Sequence, residues 1–395
     1  MAKGIIVGEL PNEENKKCID CKKLLINGEL TKCESCLAKE KSKKTIKPIE
    51  KKNFSLSDYK GVKKLDTGAK DKPLEYIPLS SAFQTVTGLI GLPKGYVSIL
   101  RGYTNTGKST ALIEAAVGCQ REGIIPVIID TENGFNWNHA RDMGFIFEYP
   151  LDEETGELGE PIGDFIYINN DHLINLYGKK RDKNRDVAVI EDVADFVNGL
   201  LEDQLNELLP NELCFLWDSV GTLDCEKSIT SKSSNNMWNA NAIEACFKSL
   251  ITYRIPASRK ENKKYTNTFV VVNKIWLDSM QGAGIVKHKG GEAFYYSARL
   301  VIHFGGVNSH GTKKLVATAN GREWVYATQT KVTVDKNHVE GASYKGELVS
   351  TAHGFILPTE LDVYKKQHKN YILSKLGVSD NTDITFSEKE INDKD

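Results

Sequence analysis

An eight-residue segment, residues 102–109, constrains the fold of this chain more than any other feature. It reads GYTNTGKS and matches the GxxxxGK[ST] spacing of a phosphate-binding loop. An apolar run precedes it at residues 96–100, and a helix-like run follows at residues 110–119. This order directs backbone N–H groups and the positive end of a helix at one anion. The alternative, a chance glycine-rich turn, is disfavoured by the complete motif in this context.

The sequence therefore predicts a site for nucleotide phosphates. The residues expected to surround the phosphates are Gly102, Tyr103, Thr104, Asn105, Thr106, Gly107, Lys108, Ser109 and Thr110. Lys108 is expected to reach the β- and γ-phosphates, and Ser109 to bind Mg²⁺. Asp218 ends a second apolar run, where its carboxylate can support the same metal ion.

Glu132 follows a third apolar run, residues 125–130. A carboxylate beside the γ-phosphate can orient or deprotonate the attacking water, so we predict that Glu132 is the catalytic base. The alternative is a structural one, in which this acid caps a helix over residues 136–144.

Apolar strand-like runs and helix-like runs alternate along the middle of the chain. The predicted strands are residues 96–100, 125–130, 165–168, 213–218, 269–273 and 299–304, and the clearest helix is 187–205. This order predicts an α/β fold with a mostly parallel central sheet and ligands at the carboxyl ends of its strands. A β-rich section over 314–351, a helix over 360–376 and a disordered acidic end over 378–395 are expected to follow.

Two CxxC pairs near the N-terminus predict a small zinc-binding module. The four cysteines are Cys18, Cys21, Cys33 and Cys36. Two such knuckles complete a tetrahedral thiolate site, and so little apolar sequence surrounds them that the segment would need metal to fold. A redox dithiol and a disulfide pair are the alternatives. The lysines around the knuckles fit either contact with nucleic-acid phosphate or a solvated basic face.

Composition limits the remaining possibilities. The 395 residues carry a net charge of −1, so any surface for nucleic acid must be local. No apolar run reaches the ~20 residues of a membrane span, and no secretory signal is recognisable, so we expect a cytoplasmic protein, or one of the host cytoplasm if phage-encoded. The expected domains are a zinc module (1–36), a basic linker (37–75), an ATPase core (76–358) and a C-terminal helix with an acidic tail (359–395).

Four segments in order resemble the RecA family of recombinases over about residues 76–356. They are IGLPKGYVSILRGYTNTGKSTAL (90–112), IIDTENGFNWNHARDMGF (128–145), FLWDSVGTL (215–223) and GGEAFYYSARLVIHFGG (290–306). Phage UvsX-type recombinases look nearest, because their Tyr-Ser-Ala motif recurs at Tyr296, Ser297 and Ala298. The resemblance implies a RecA-like P-loop NTPase core.

The resemblance also implies residue roles. It places His139 where the family stacks an aromatic ring on adenine, and Lys274 where a polar side chain senses the γ-phosphate at the end of a strand. Lys336 is similar to a basic residue that reaches the neighbouring subunit's ATP, followed here by His338 instead of a second permanent cation. The implied DNA-binding loops are residues 225–236 and 277–291.

The function implied is that of an ATP-dependent DNA recombinase that uses ATP, Mg²⁺ and Zn²⁺. Its expected partners are single-stranded and double-stranded DNA, further copies of itself in a helical filament or hexameric ring, and a recombination mediator or single-strand binding protein. Two alternatives remain: a branch-migration helicase resembling RadA/Sms, and a non-catalytic ATP-binding regulator. The complete set of Lys108, Ser109, Glu132 and Asp218 favours active chemistry.

Overall fold

The computed structural model describes residues 70–148, 164–178, 185–231, 236–278, 285–288, 292–306 and 311–391. The chain divides into two units, Met1–Asp66 and Thr67–Asp395, and every described residue belongs to the second. The four clustered cysteines lie outside the described residues, so the zinc module and the four domain limits remain predictions. None of the helices in the described ranges combines the length and apolar character needed to span a bilayer.

The strands and helices follow the predicted alternation. The strands are β1 (Tyr76–Pro78), β2 (Gly91–Pro93), β3 (Val97–Gly102), β4 (Ile125–Asp130), β5 (Ile166–Asn169), β6 (Leu213–Val220), β7 (Thr268–Asp278), β8 (Ile285–His288), β9 (Leu300–Phe304), β10 (Thr312–Ala319), β11 (Arg322–Asn337), β12 (Lys345–Thr351), β13 (Gly354–Ile356) and β14 (Thr385–Glu390). The helices are α1 (Ser81–Thr87), α2 (Lys108–Arg121), α3 (Trp137–Asp142), α4 (Asn170–Leu173), α5 (Ile190–Leu205), α6 (Glu226–Thr230), α7 (Asn236–Ser249), α8 (Ile255–Ala257), α9 (Ala293–Ser297), α10 (Leu361–Gln367) and α11 (Lys369–Leu376).

Most of the strands form one sheet with a parallel and an antiparallel half. The parallel half has the order β9-β3-β7-β6-β4-β5, and the antiparallel half continues from β9 through β11, β12 and β13. Strand β10 pairs with both β11 and β14, and β8 pairs with β7. The expected mostly parallel α/β sheet is therefore present as the half that contains the phosphate-binding loop.

Hydrophobic side chains cover both faces of the parallel half. Along β6, Leu216 packs into a core with α1 and α2, while Phe215 and Trp217 pack into a second core with α5 and α7. Trp217 stacks on Phe247 of α7 with ring centroids 5.2 Å apart. Burial on both faces explains why these strands are uninterrupted apolar runs instead of alternating ones.

The end of the chain differs from the sequence prediction. The stretch expected to be disordered contributes β14, which extends the antiparallel half by pairing with β10 from Lys313↔Glu390 to Thr318↔Thr385. Every side chain of β14 is exposed, so the strand depends on its backbone ladder. The predicted single helix over 360–376 is also divided, because α10 ends at Gln367 and α11 begins at Lys369.

A buried glutamate on α2 fixes the position of this helix. Glu114 accepts hydrogen bonds from the backbone N–H of Ser80 at 3.1 Å and of Phe355 at 2.9 Å. It therefore joins α2 to the start of α1 and to β13. Burial raises the pKa of its carboxyl, although the two backbone donors partly oppose that shift.

We expect Glu114→Ala to lower the free energy of unfolding by about 2–4 kcal/mol, because two buried backbone donors lose their acceptor. Thermal or denaturant unfolding of the full chain measures the effect. Glu122→Ala removes an exposed carboxylate just beyond the same helix and should change stability by less than about 0.5 kcal/mol. Equal stability of the two variants would contradict the anchoring role of Glu114.

Candidate functional site

Most of the predicted site residues meet at the carboxyl edge of the parallel strands, and Lys336 does not. Register places Gly102 of β3 beside Lys274 of β7, and Asp130 of β4 beside Asp218 of β6. Four strands that are far apart in sequence therefore deliver polar side chains to one edge of the sheet. This is the position at which open parallel sheets bind ligands.

The phosphate-binding loop leaves β3 at a residue that only glycine suits. Gly102 has φ 156°, and a Cβ added there would lie 2.1 Å from the carbonyl oxygen of Phe304. Helix α2 starts five residues beyond Tyr103, whose carbonyl accepts hydrogen bonds from Lys108 Nζ and, at 2.8 Å, from Thr106 Oγ1. The expected strand, loop and helix are all present.

Lys108 is 5% exposed at the start of α2. Burial lowers the pKa of its ammonium to about 8, because few water molecules remain to solvate the charge, while the carboxylate of Asp218 acts in the opposite direction. The Asp218 carboxylate offsets the positive charge of Lys108 only in part. A bound phosphate group would supply a further anionic partner.

Ser109 and Asp218 lie close enough to share a ligand. Ser109 Oγ donates a hydrogen bond to Asp218 Oδ2 at 3.2 Å. Burial and the negative charge of Glu132 together raise the pKa of Asp218 to about 6, against the opposing effect of Lys108. Oxygen donors of this kind suit Mg²⁺, so the residues present fit the metal ion that the sequence implied.

Glu132 does not cap a helix, and its role as the catalytic base remains a prediction. Its Oε1 accepts from Ser219 Oγ at 2.5 Å, and its Oε2 lies 2.6 Å from Lys274 Nζ. Asn136 caps α3 instead, by accepting from the backbone N–H of His139 at 3.0 Å. Burial acts to raise the pKa of Glu132, but the hydrogen bonds from Lys274 and Ser219 outweigh it and lower the pKa.

Two features around Glu132 were not expected from the sequence. Ser219 had no assigned role, although its place directly after Asp218 is a signal that was available. Lys274 was expected to end its strand, which is wrong, because β7 runs on to Asp278 by pairing with β8. Its ammonium pairs with Glu132, so phosphate binding by Lys274 remains a prediction.

His139 lies on the short helix α3. Its Nε2 is 3.1 Å from the carbonyl oxygen of Thr351, and burial lowers the pKa of the ring, which favours the neutral imidazole as the donor. A cavity of ≈ 420 Å³ surrounds it, with Trp324 and Tyr371 among the lining residues. The cavity offers aromatic surface for a base, and adenine stacking on His139 remains a prediction.

Lys336 lies apart from the other predicted site residues within this chain. It pairs with Val301, three residues before Phe304, whereas Phe304 itself pairs with Gly102. Its Nζ donates to the carbonyl oxygens of Tyr295 at 2.9 Å and Tyr296 at 3.2 Å. The structure does not bring Lys336 to the phosphate-binding loop of its own chain.

The two predicted DNA-binding loops are described only in part. The first contains α6, and its residues 232–235 lie outside the described residues. The second forms a backbone hairpin in which Ile275 of β7 pairs with His288 of β8, with 279–284 and 289–291 outside the described residues. DNA binding by these segments remains a prediction.

The titration of Lys108 and Asp218 predicts a pH window for nucleotide binding. Phosphate binding needs the Lys108 ammonium, which is lost as the pH rises through about 8, and metal support needs the Asp218 carboxylate, which is lost as the pH falls through about 6. Calorimetric affinity for Mg²⁺-nucleotide should therefore be highest between these values. Adenosine, which has no phosphate, serves as the control and should show neither limb. An affinity for Mg²⁺-nucleotide that stays constant across both pKa values would contradict the assignment.

Comparison with known proteins shows similarity over part of the chain. No protein-family model matches the chain. Protein RecA of Leifsonia xyli subsp. xyli (strain CTCB07) is 32% identical over 97 residues, which are 24% of this chain and 27% of that relative. The match thus spans about a quarter of the length of that relative. Together with the α/β sheet and the phosphate-binding loop, this similarity supports a RecA-like P-loop ATPase core.

Proposed function

We propose that this protein is an ATP-dependent DNA recombinase of the RecA/UvsX type. It binds single-stranded DNA as a helical filament, pairs it with a homologous duplex, and is released when ATP is hydrolysed. The observation that carries the proposal is the convergence of Lys108, Ser109, Asp218 and Glu132 at one sheet edge, beside a lysine on the strand that leads into the predicted DNA hairpin. Zinc bound by the N-terminal cysteines belongs to the same proposal.

Each of these site residues has a separate role in the proposed hydrolysis. Lys108 and the backbone N–H groups of the loop bind the phosphates and fix their orientation. Ser109 and Asp218 would hold Mg²⁺, which would neutralise charge that develops on the phosphates. Glu132 orients the attacking water and accepts its proton.

Contact with DNA is coupled to this chemistry through Lys274. The Glu132 carboxylate is engaged by Lys274 and Ser219, so its proton affinity is held down. Strand β7 carries Lys274 and continues into the hairpin with β8. A strand of DNA that binds the hairpin shifts the Lys274 side chain and thereby changes the basicity of Glu132. ATP and DNA thus favour one common conformation.

Glu132→Gln should bind ATP with near-normal affinity and hydrolyse it about 10²–10⁴-fold more slowly, because the amide cannot accept a proton. Steady-state phosphate release with single-stranded DNA measures the rate, and calorimetry measures the binding. Glu122→Gln, an exposed position, is the matched control and should keep the wild-type rate. Wild-type turnover by Glu132→Gln would remove Glu132 from the proposed role.

Electron microscopy of the full chain with single-stranded DNA and a slowly hydrolysed ATP analogue should show helical filaments. The same sample without nucleotide should show few or none, because the nucleotide orders the DNA-binding segments. Closed hexameric rings would contradict the recombinase proposal and favour a helicase. Equal DNA binding with and without nucleotide would contradict ATP-dependent assembly.

A further inference from the structure

A lysine on the antiparallel half of the sheet lies across a cleft from the phosphate-binding loop. One wall of this ≈ 420 Å³ cleft is formed by the loop and the start of α2, residues 105–110. The facing wall includes Lys314 of β10, Val325 and Thr328 of β11, and Ser350 of β12. The sequence motifs assigned no role to any of these four residues.

A β-bulge turns the side chains of the facing wall toward the loop. The register between β10 and β11 shifts at Leu315 and Val316, which leaves Tyr326 without a partner on β10. Tyr326 and Ala327 therefore both turn into the hydrophobic core under α10 and α11. Val325 and Thr328, on either side of them, share the opposite face, where Thr328 pairs with Lys314. Bulges that redirect side chains are common beside ligand sites.

The distance between the two walls is fixed by a direct contact. Ser350 Oγ and Thr110 Oγ1 are 2.6 Å apart, so a hydrogen bond joins β12 to the first turn of α2. Ser350 also pairs with Thr328 in the ladder between β12 and β11. The pairing of Lys314 with Thr328, and of Thr328 with Ser350, therefore fixes the position of Lys314 relative to the loop.

The charge of Lys314 has no counterion in the described part of the chain. Its side chain is half-buried, and no carboxylate there forms an ion pair with it. Lys313, the preceding residue, points to the other face, where its Nζ is 3.0 Å from Glu388 Oε2. A half-buried cation without a counterion, beside a loop that binds phosphate, favours an anion as its partner.

We propose that Lys314 binds the polyphosphate of the nucleotide from within the same subunit, at the α- and β-phosphates. This inference rests on the proposed nucleotide site. The position along the polyphosphate follows from the lining of the cleft, which extends past Lys108 and Ser109 to Thr110 and excludes Glu132 and Asp218, the residues of the hydrolytic end. The contact is therefore made to phosphates that ADP and ATP share.

Calorimetry on the full chain with Mg²⁺ tests the proposal, with ADP and a slowly hydrolysed ATP analogue as ligands. Lys314→Met keeps the length of the side chain and removes its charge, and it should weaken both ligands by a similar factor of about ten. Lys314→Arg should retain most of the affinity. Lys313→Met removes the same charge from the other face of the strand and should leave both affinities unchanged. Thermal unfolding of the variants confirms that they fold.

Four results would overturn the inference while the wild-type chain still binds nucleotide. They are an unchanged affinity in Lys314→Met, an equal loss in Lys313→Met, a loss for the ATP analogue alone, and a loss of DNA binding with unchanged nucleotide binding. If the wild-type chain bound neither ligand, the proposed nucleotide site itself would fail, and Lys108→Ala, expected to abolish binding, would then match the wild type.

Discussion

The site depends on the placement of two cations and two carboxylates at one half-buried sheet edge. Lys108 and Lys274 face Asp218 and Glu132 within a space that water reaches only in part. In such surroundings an unpaired charge is costly, so each group is held where another offsets it. The two carboxylates differ as a result: burial raises the pKa of Asp218, while Lys274 and Ser219 lower that of Glu132. Carboxylates with separated pKa values can take separate roles in one reaction.

Much of the parallel half could be predicted because the signals for its strands and for the phosphate-binding loop each lie within a short segment of sequence. Strand β4 has the predicted bounds. Strand β3 differs by one residue at its start and two at its end, and β6 by two residues at its end only, since uninterrupted apolar runs indicate strands buried on both faces. The phosphate-binding loop was identifiable from eight consecutive residues. The rule that ligands bind at the carboxyl ends of parallel strands then predicts that Asp218 and Glu132 lie near Lys108.

What the sequence could not indicate is long-range pairing. The partners of Glu132 depend on the register of β7 against β3 and of β6 against β4, and nothing in the local sequence around residue 132 encodes either. Strand β14 looked like a disordered acidic end because none of its side chains is buried. It exists because the edge of β10 offers unpaired backbone groups, and its exposed pairs, such as Lys389 with Glu323, contribute little compared with that ladder.

The ion pair of Lys274 with Glu132 connects the two halves of the proposed activity. A carboxylate that accepts from an ammonium and a hydroxyl binds a proton less well than one free of them, so under the proposed mechanism we expect hydrolysis to be slow while both contacts persist. Ser219 is fixed beside the metal-supporting Asp218, whereas Lys274 lies on a strand that leaves the sheet as a hairpin. The Lys274 side chain is therefore the contact that can change, while the Lys274 backbone remains paired with Gly102 at the start of the phosphate-binding loop. A partner that binds the hairpin can in this way alter the proton affinity of Glu132 while the nucleotide stays bound.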